Sequence, residues 1–383
     1  MFNDALLILK KELKNLTKDR RTLFSTFFLP LIILPIIFIG MGVVFQSIED
    51  KAKETTYKIE IVGNKDTAYR EVLTKHLFWQ EVGENEGDFK IIFGNNYTPG
   101  TRATVILSYD SSSRKNQIAA EMIKQSLVSY ELELADKFLS LFNLSYEDLH
   151  TLKIIIDDTA QQAAQSGGAI LAMLMPYFMV IFLFSGSMNA GLDTTSGEKE
   201  RGSLAVLLVN QVSRTSIAWG KILYVSVVSL FSAIATFMGL LIAMTLPLGS
   251  VAFGSQGLNG GIGIGPLIVI IVSLISSALV SAGLITVIGC LAKSVKEGGS
   301  YVMPLYMVVV VVGVTTMYMD PSKNIFLFLI PIVNTIFVLK ETFMGMHNIL
   351  HLMVMLLSNL TIAYFEAKGV SALFNSERIL QTV

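Results

Sequence analysis

The chain has a single cysteine, Cys290, among its 383 residues, so it can form no internal disulfide. That thiol lies inside an apolar run, and cysteine usage therefore says nothing of the redox compartment. Charge is scarce as well. Asp, Glu, Lys and Arg make up 15% of the sequence, where soluble domains carry about a quarter. Together with 52% hydrophobic residues and a mean hydropathy of +0.59, this excludes an ordinary soluble globule and indicates an integral membrane protein. A net charge of -1 provides no global field to attract nucleic acid, so charge has to be read by position. No G-x-x-x-x-G-K-[ST] phosphate loop occurs, so any ATP energy must come from a partner.

The apolar runs that are present define the architecture. Residues 1–21 place Phe2, Leu6, Leu9, Leu13 and Leu16 at helical spacing, opposite Lys10, Lys11, Lys14 and Lys18. This pattern reads as a cytoplasmic amphipathic helix at the membrane interface. Leu23 to Phe45 is uncharged and long enough for a first span, within a segment of 22–45. It is too long for a signal-peptide core, and no small-residue cleavage site comes after it. Further spans are expected at Ala169–Met188, Ile222–Met244, Pro266–Ala292, Tyr301–Met319 and Ile349–Phe365. Ile325 to Leu339 is too short to span and is broken by Pro331 and Asn334, so about 325–345 reads as re-entrant.

Residues 46–165 change character, with strand-like runs at Tyr57–Val62, Lys90–Phe93, Ala103–Tyr109 and Ile154–Ile156 and a helical pattern from Gln117 to Leu144. They predict a compact α+β domain inserted between the first two spans. It lacks paired carboxylates, Ser/His pairs and metal-ligand spacing, which favours sensing, gating or partner binding over catalysis. Lys and Arg locate the faces. Six of them lie in residues 1–21, Lys199, Arg201, Arg214 and Lys221 come after the second span, and Lys293 and Lys296 precede the fifth. The positive-inside rule puts these in the cytoplasm with both termini, in the cell inner (plasma) membrane, and puts 46–165 outside. The opposite loop, Thr245 to Gly265, has no Lys or Arg. Residues 166–383 complete the membrane domain.

The densest charge lies at Gly197-Glu198-Lys199-Glu200-Arg201-Gly202-Ser203, between spans two and three. Leu204, Leu207 and Leu208 come next as an i, i+3, i+4 stripe, giving a short helix an apolar docking face beside a water-facing charged turn. Asn189, Asp193 and Thr194 place oxygen ligands for a small cation at the end of span two, though they equally suit a helix cap. Asn334, Lys340 and Glu341 are candidates for an outer gate, with solvation among headgroups as the alternative for the two charged residues. His347 and His351 share a helix face but lack the general base of H-E-x-x-H, so no metal site is assigned. Gly257 to Gly265 has no Lys and reads as an outer loop. The expected spans hold no central Asp or Glu of the kind a proton-coupled carrier uses, which favours a partner-driven pump over a secondary transporter.

With this topology the chain resembles the permease subunits of ABC-2-type exporters, and most closely the NatB-like group associated with sodium efflux. The resemblance runs the whole length. It is carried by Lys18-Asp19-Arg20-Arg21-Thr22, by Glu198-Lys199-Glu200-Arg201-Gly202-Ser203-Leu204, by Val212-Ser213-Arg214-Thr215 with Gly220-Lys221, and by Leu373-Phe374-Asn375-Ser376-Glu377-Arg378. Ser203 stands where Thr is common. The resemblance implies a coupling helix at about 196–212 that docks on a separate NatA-like ATPase subunit. It also implies ATP and Mg on that partner rather than on this chain, and a second permease, either another copy in a homodimer or a similar permease. Related permeases move drugs, lipids, peptides or glycans, and a mechanotransmitting protein that moves no cargo is a further alternative.

Overall fold

The structure is a computed structural model that describes residues 2–63, 67–84, 86–94, 104–110, 114–140, 168–209, 212–252, 263–319, 324–346 and 348–375. The expected strand at Ile154–Ile156, His347, most of the glycine-rich run and the closing Ser376-Glu377-Arg378 lie outside the described residues. The chain divides into two compact units, one of Met1–Met41 with Asp158–Val383 and one of Gly42–Asp157.

Among the described residues of the chain, six helices are long and apolar enough to cross a membrane: Phe24–Glu54, Ala172–Glu200, Arg214–Thr245, Ile264–Leu291, Val295–Met317 and Ile349–Asn375. The chain is therefore a multi-pass membrane protein. The amphipathic helix α1 covers Phe2–Leu16, and the first span opens as a π-helical turn, Phe24–Phe28, before α2, Leu29–Glu54. Several helices run past the apolar stretches that predict them, because a helix extends through flanking polar residues wherever these find partners. The third span begins at Arg214 rather than Ile222, since Ser213 caps it by accepting the backbone N–H of Ser216 at 3.1 Å. The last span continues ten residues beyond Phe365, to Asn375, and so takes in Glu366 and Lys368.

The second unit is a two-layer α+β fold. Its strands β1 (Tyr57–Val62), β2 (Trp79–Glu81), β3 (Phe89–Phe93) and β4 (Val105–Tyr109) form a sheet in the order β2-β1-β3-β4. β1 runs parallel to both neighbours, and β4 closes the sheet antiparallel to β3. Alternation along β3 buries Phe89, Ile91 and Phe93. They pack against Tyr69, Val72 and Leu73 of α3 (Thr67–His76) and Ala119, Ile123 and Tyr130 of α4 (Arg114–Ser140). α3 and β2 are absent from the sequence reading. Both are short and half polar, without a periodic run long enough to mark them.

Besides the short helices Arg20–Leu23 and Pro247–Ala252, the membrane unit holds α5 (Gly168–Leu192), α6 (Ser203–Val209), α7 (Arg214–Thr245), α8 (Ile264–Leu291), α9 (Val295–Met317), α10 (Val333–Phe343) and α11 (Ile349–Asn375). Its largest core joins Leu34 and Phe38 of α2 to Met175 and Phe184 of α5, Leu240 of α7 and Leu274 of α8. Segment 325–345 is a 3-10 turn, Ile325–Leu329, leading into α10. Lys340 and Glu341 are not solvated but buried. Lys340 Nζ donates to the terminal carbonyls of α9, Thr316 at 3.4 Å and Met317 at 3.0 Å, and to Met319. Glu341 binds His351 Nδ1 at 2.7 Å, and the His351 ring stacks on Phe328.

Candidate functional site: a charge hub at the helix ends

The cluster around Glu198 does not hang from a solvated loop. α5 continues through a π-helical turn, Asp193–Gly197, into the single turn Glu198–Glu200, and both Glu198 and Lys199 are buried. This corrects the expectation that the charges face water for Glu198 and Lys199, whereas Glu200 and Arg201 are exposed. A π turn accommodates an extra residue and rotates the helix beyond it. Here it puts Thr194 and Glu198 against the same partner, Lys221 of α7. Gly202 ends the segment at φ 72, a left-handed conformation that glycine adopts without strain. The chain then folds back, with Ser203 Oγ donating to the Glu198 carbonyl at 3.2 Å.

Each consecutive charge reaches a different element. Glu198 Oε2 accepts from Lys221 Nζ at 2.5 Å, and its Oε1 lies 3.5 Å from Lys11 Nζ on α1. Lys221 has no exposed surface and also donates to the carbonyl and hydroxyl of Thr194, at 2.5 and 3.2 Å. Its three donors are thus all satisfied. Lys199 Nζ points the other way, to the carbonyls of Cys290 and Ala292 at 3.4 and 3.3 Å, where a cation suits the carbonyl end of α8. Glu200 Oε2 accepts the N–H of Val295, the first residue of α9, at 3.0 Å, placing an anion at a helix amino terminus. Arg201 turns back to Asp193, 2.9 Å from its carboxylate. Glu198 and Arg201, three residues apart, do not pair with each other; their partners are Lys221 and Asp193.

α1 is fixed to the same place. Gly220 lets it approach α7 so closely that a Cβ there would lie 2.7 Å from Ile8 Cβ and 3.0 Å from the Ala5 carbonyl. Burial of Lys11 works against its charge, but the carboxylates of Glu12 and Glu198 outweigh it and hold the ammonium above its ordinary range.

The leucine stripe faces inward. Leu204 is buried in the core of Ile8, Leu16 and Ile217, and Leu207 packs against that core. The side chain of Leu208 lies outside the described residues. Among the described side chains of α6, Val206 and Val209 are the exposed apolar residues, at 68% and 85% exposure. Asp193 and Thr194, expected as ligands for a small cation, instead meet the protein's own Arg201 and Lys221; Asn189 is exposed. Asn334 is fully buried, donating to Phe328 O at 3.3 Å and Asn359 Oδ1 at 2.9 Å. It ties α10 to α11. The sequence reading missed the burial of Lys221. Its signal was the capping serine at 213, which extends α7 upstream and puts Lys221 in the second turn of a helix instead of a loop.

No catalytic arrangement is present among these groups; what they join is a one-turn segment, α1 and the ends of three spans. The family model described as ABC-2 family transporter protein matches residues 6–377. The chain belongs to this family. It is similar to the ABC transporter permease protein NatB of Bacillus subtilis (strain 168), with 24% identity over 362 residues, covering 88% of this chain and 89% of the relative. It is thus an ABC-2 permease, the membrane subunit of an ABC transporter, and the membership implies an ABC ATPase partner.

Proposed function

We propose that the charge hub is the coupling element of an ATP-driven exporter. Two copies of the chain enclose a pathway, and two NatA-like ATPase subunits, carrying ATP and Mg, dock in the cytoplasm on the face of α6. In this reading the termini are cytoplasmic and residues 46–165 extracytoplasmic. The observation that carries it is the convergence of α1, α7, α8 and α9 on Glu198, Lys199 and Glu200. A push on α6 reaches all four helices through buried or helix-end contacts rather than through a flexible loop. Closure of the ATPase pair around ATP supplies the bias, and the hub passes it to the spans.

Sodium is the cargo this reading assigns, on the resemblance to the sodium-efflux group. Co-reconstitution with the ATPase subunit in proteoliposomes tests it, by ATP-dependent tracer sodium flux. A stable complex that hydrolyses ATP without moving sodium would remove sodium and turn the search to drug, lipid, peptide or glycan cargo, or to force transmission without cargo.

A further inference from the structure

Glu366 lies within α11, and both of its carboxyl oxygens are buried with no hydrogen-bond partner among the described residues. The space it occupies is made by Gly283 of α8: a Cβ there would collide with Oε2 and lie 2.8 Å from the Glu366 Cβ and Cδ. α8 carries no Asp, Glu, Lys, Arg or His, and Cys290 is its titratable residue. The cations and carboxylates on the other elements packed against α11 are engaged. Lys221 is held by Glu198 and Thr194, Lys340 by the carbonyls at the end of α9, and Glu341 by His351; Arg214 has interactions of its own. On α11 itself, Lys368 lies over the Tyr364 ring.

A carboxylate whose two oxygens are buried without a hydrogen-bond partner among the described residues is costly in a membrane span, and it is relieved by a proton or by a bound cation. We infer that Glu366 is a binding site for a small monovalent cation, a proton or an alkali metal ion, held between α11 and α8. It is separate from the charge hub and does not depend on the cargo.

The test uses the full chain in membranes and N,N′-dicyclohexylcarbodiimide, an apolar reagent that adds only to protonated carboxyl groups, with mass spectrometry of the peptide containing Glu366. Labelling of Glu366 is expected, falling about tenfold per pH unit above its midpoint. Protection by sodium or lithium chloride, but not by choline chloride, identifies a metal ion site; dependence on pH alone identifies a proton site. Glu366→Gln, which keeps the shape, should abolish the labelling. It should also weaken the response of the purified chain's melting temperature to pH or to alkali cations. No labelling of the unchanged protein, together with identical melting responses of the unchanged and Glu366→Gln chains to pH and cations, would overturn the inference.

Discussion

Lys221→Met removes one side of the buried pair and leaves Glu198 in place. The ammonium it deletes is wholly buried and binds Glu198 at 2.5 Å as well as the Thr194 carbonyl and hydroxyl. Removing one partner of a buried ion pair costs about 3–5 kcal/mol, because the remaining charge keeps its desolvation penalty without its counter-ion. Glu198 retains Lys11, but that contact is 3.5 Å long and Lys11 is 51% exposed, so it offsets little. A loss near 3 kcal/mol, at about 2–4 °C per kcal/mol for large domains, lowers the melting temperature by roughly 6–12 °C. The assay is thermal unfolding of the purified chain in detergent. The double variant Glu198→Gln with Lys221→Met has no uncompensated charge, and it should recover more than half of the loss, since well-packed neutral replacements of a buried pair are often tolerated. That recovered variant should still bind the ATPase subunit yet transport poorly, because the ion pair that ties the one-turn segment Glu198–Glu200 to α7 is gone. A drop below about 1 °C for Lys221→Met, or a double variant whose losses simply add, would refute the buried pair.

Gly220→Leu should push α1 off α7, at about 1–3 kcal/mol, since even its Cβ meets Ile8 at 2.7 Å; accelerated protease cleavage between α1 and the first span reports the displacement. In the second unit, Phe89→Ala should cost about 3–5 kcal/mol, because that ring is completely buried at the centre of the sheet. Faster amide exchange in β1 and β3, without change in the spans, would register it. The hydrogen bond from Arg70 holds the Glu81 carboxyl below its ordinary value of 4.5. Its stabilisation is therefore present above about pH 4.5 and is lost as pH falls through the lower folded value. With Glu81 43% exposed, Glu81→Gln should cost under about 1 kcal/mol at neutral pH and nothing in strong acid, as read by Trp79 fluorescence melts.

Apolar length alone located the six spans, because a run of some twenty uncharged residues has few uses other than crossing a bilayer, and the change to charged residues with strand-like runs marked the inserted domain. Charge partnership was not legible in the same way. Hydropathy assigned Glu198 and Lys199 to water, whereas their partners, Lys221 and the carbonyls of Cys290 and Ala292, are separated from them by 23, 91 and 93 positions. No local pattern encodes such pairs. The same rule ended the last span at Phe365 and so set Glu366 outside it, whereas the helix runs on through Glu366 to Asn375. The leucine stripe on α6 was correctly seen as an apolar face, but periodicity cannot tell which of two neighbours a face packs against. Here it is the protein's own α1 and α7, and Val206 and Val209 are left outward.

The most direct test of the coupling account is binding and transport by the double variant Val206→Asp with Val209→Asp, compared with the unchanged chain, in proteoliposomes holding the ATPase subunit. Both side chains are outward-facing, so the fold and melting temperature should stay within about 1 °C, as for most surface changes. The account predicts that capture of the ATPase subunit falls at least about tenfold, the loss of roughly 1.4 kcal/mol of docking energy, and that ATP-driven flux falls with it. Unchanged capture and unchanged flux in a folded variant would contradict it.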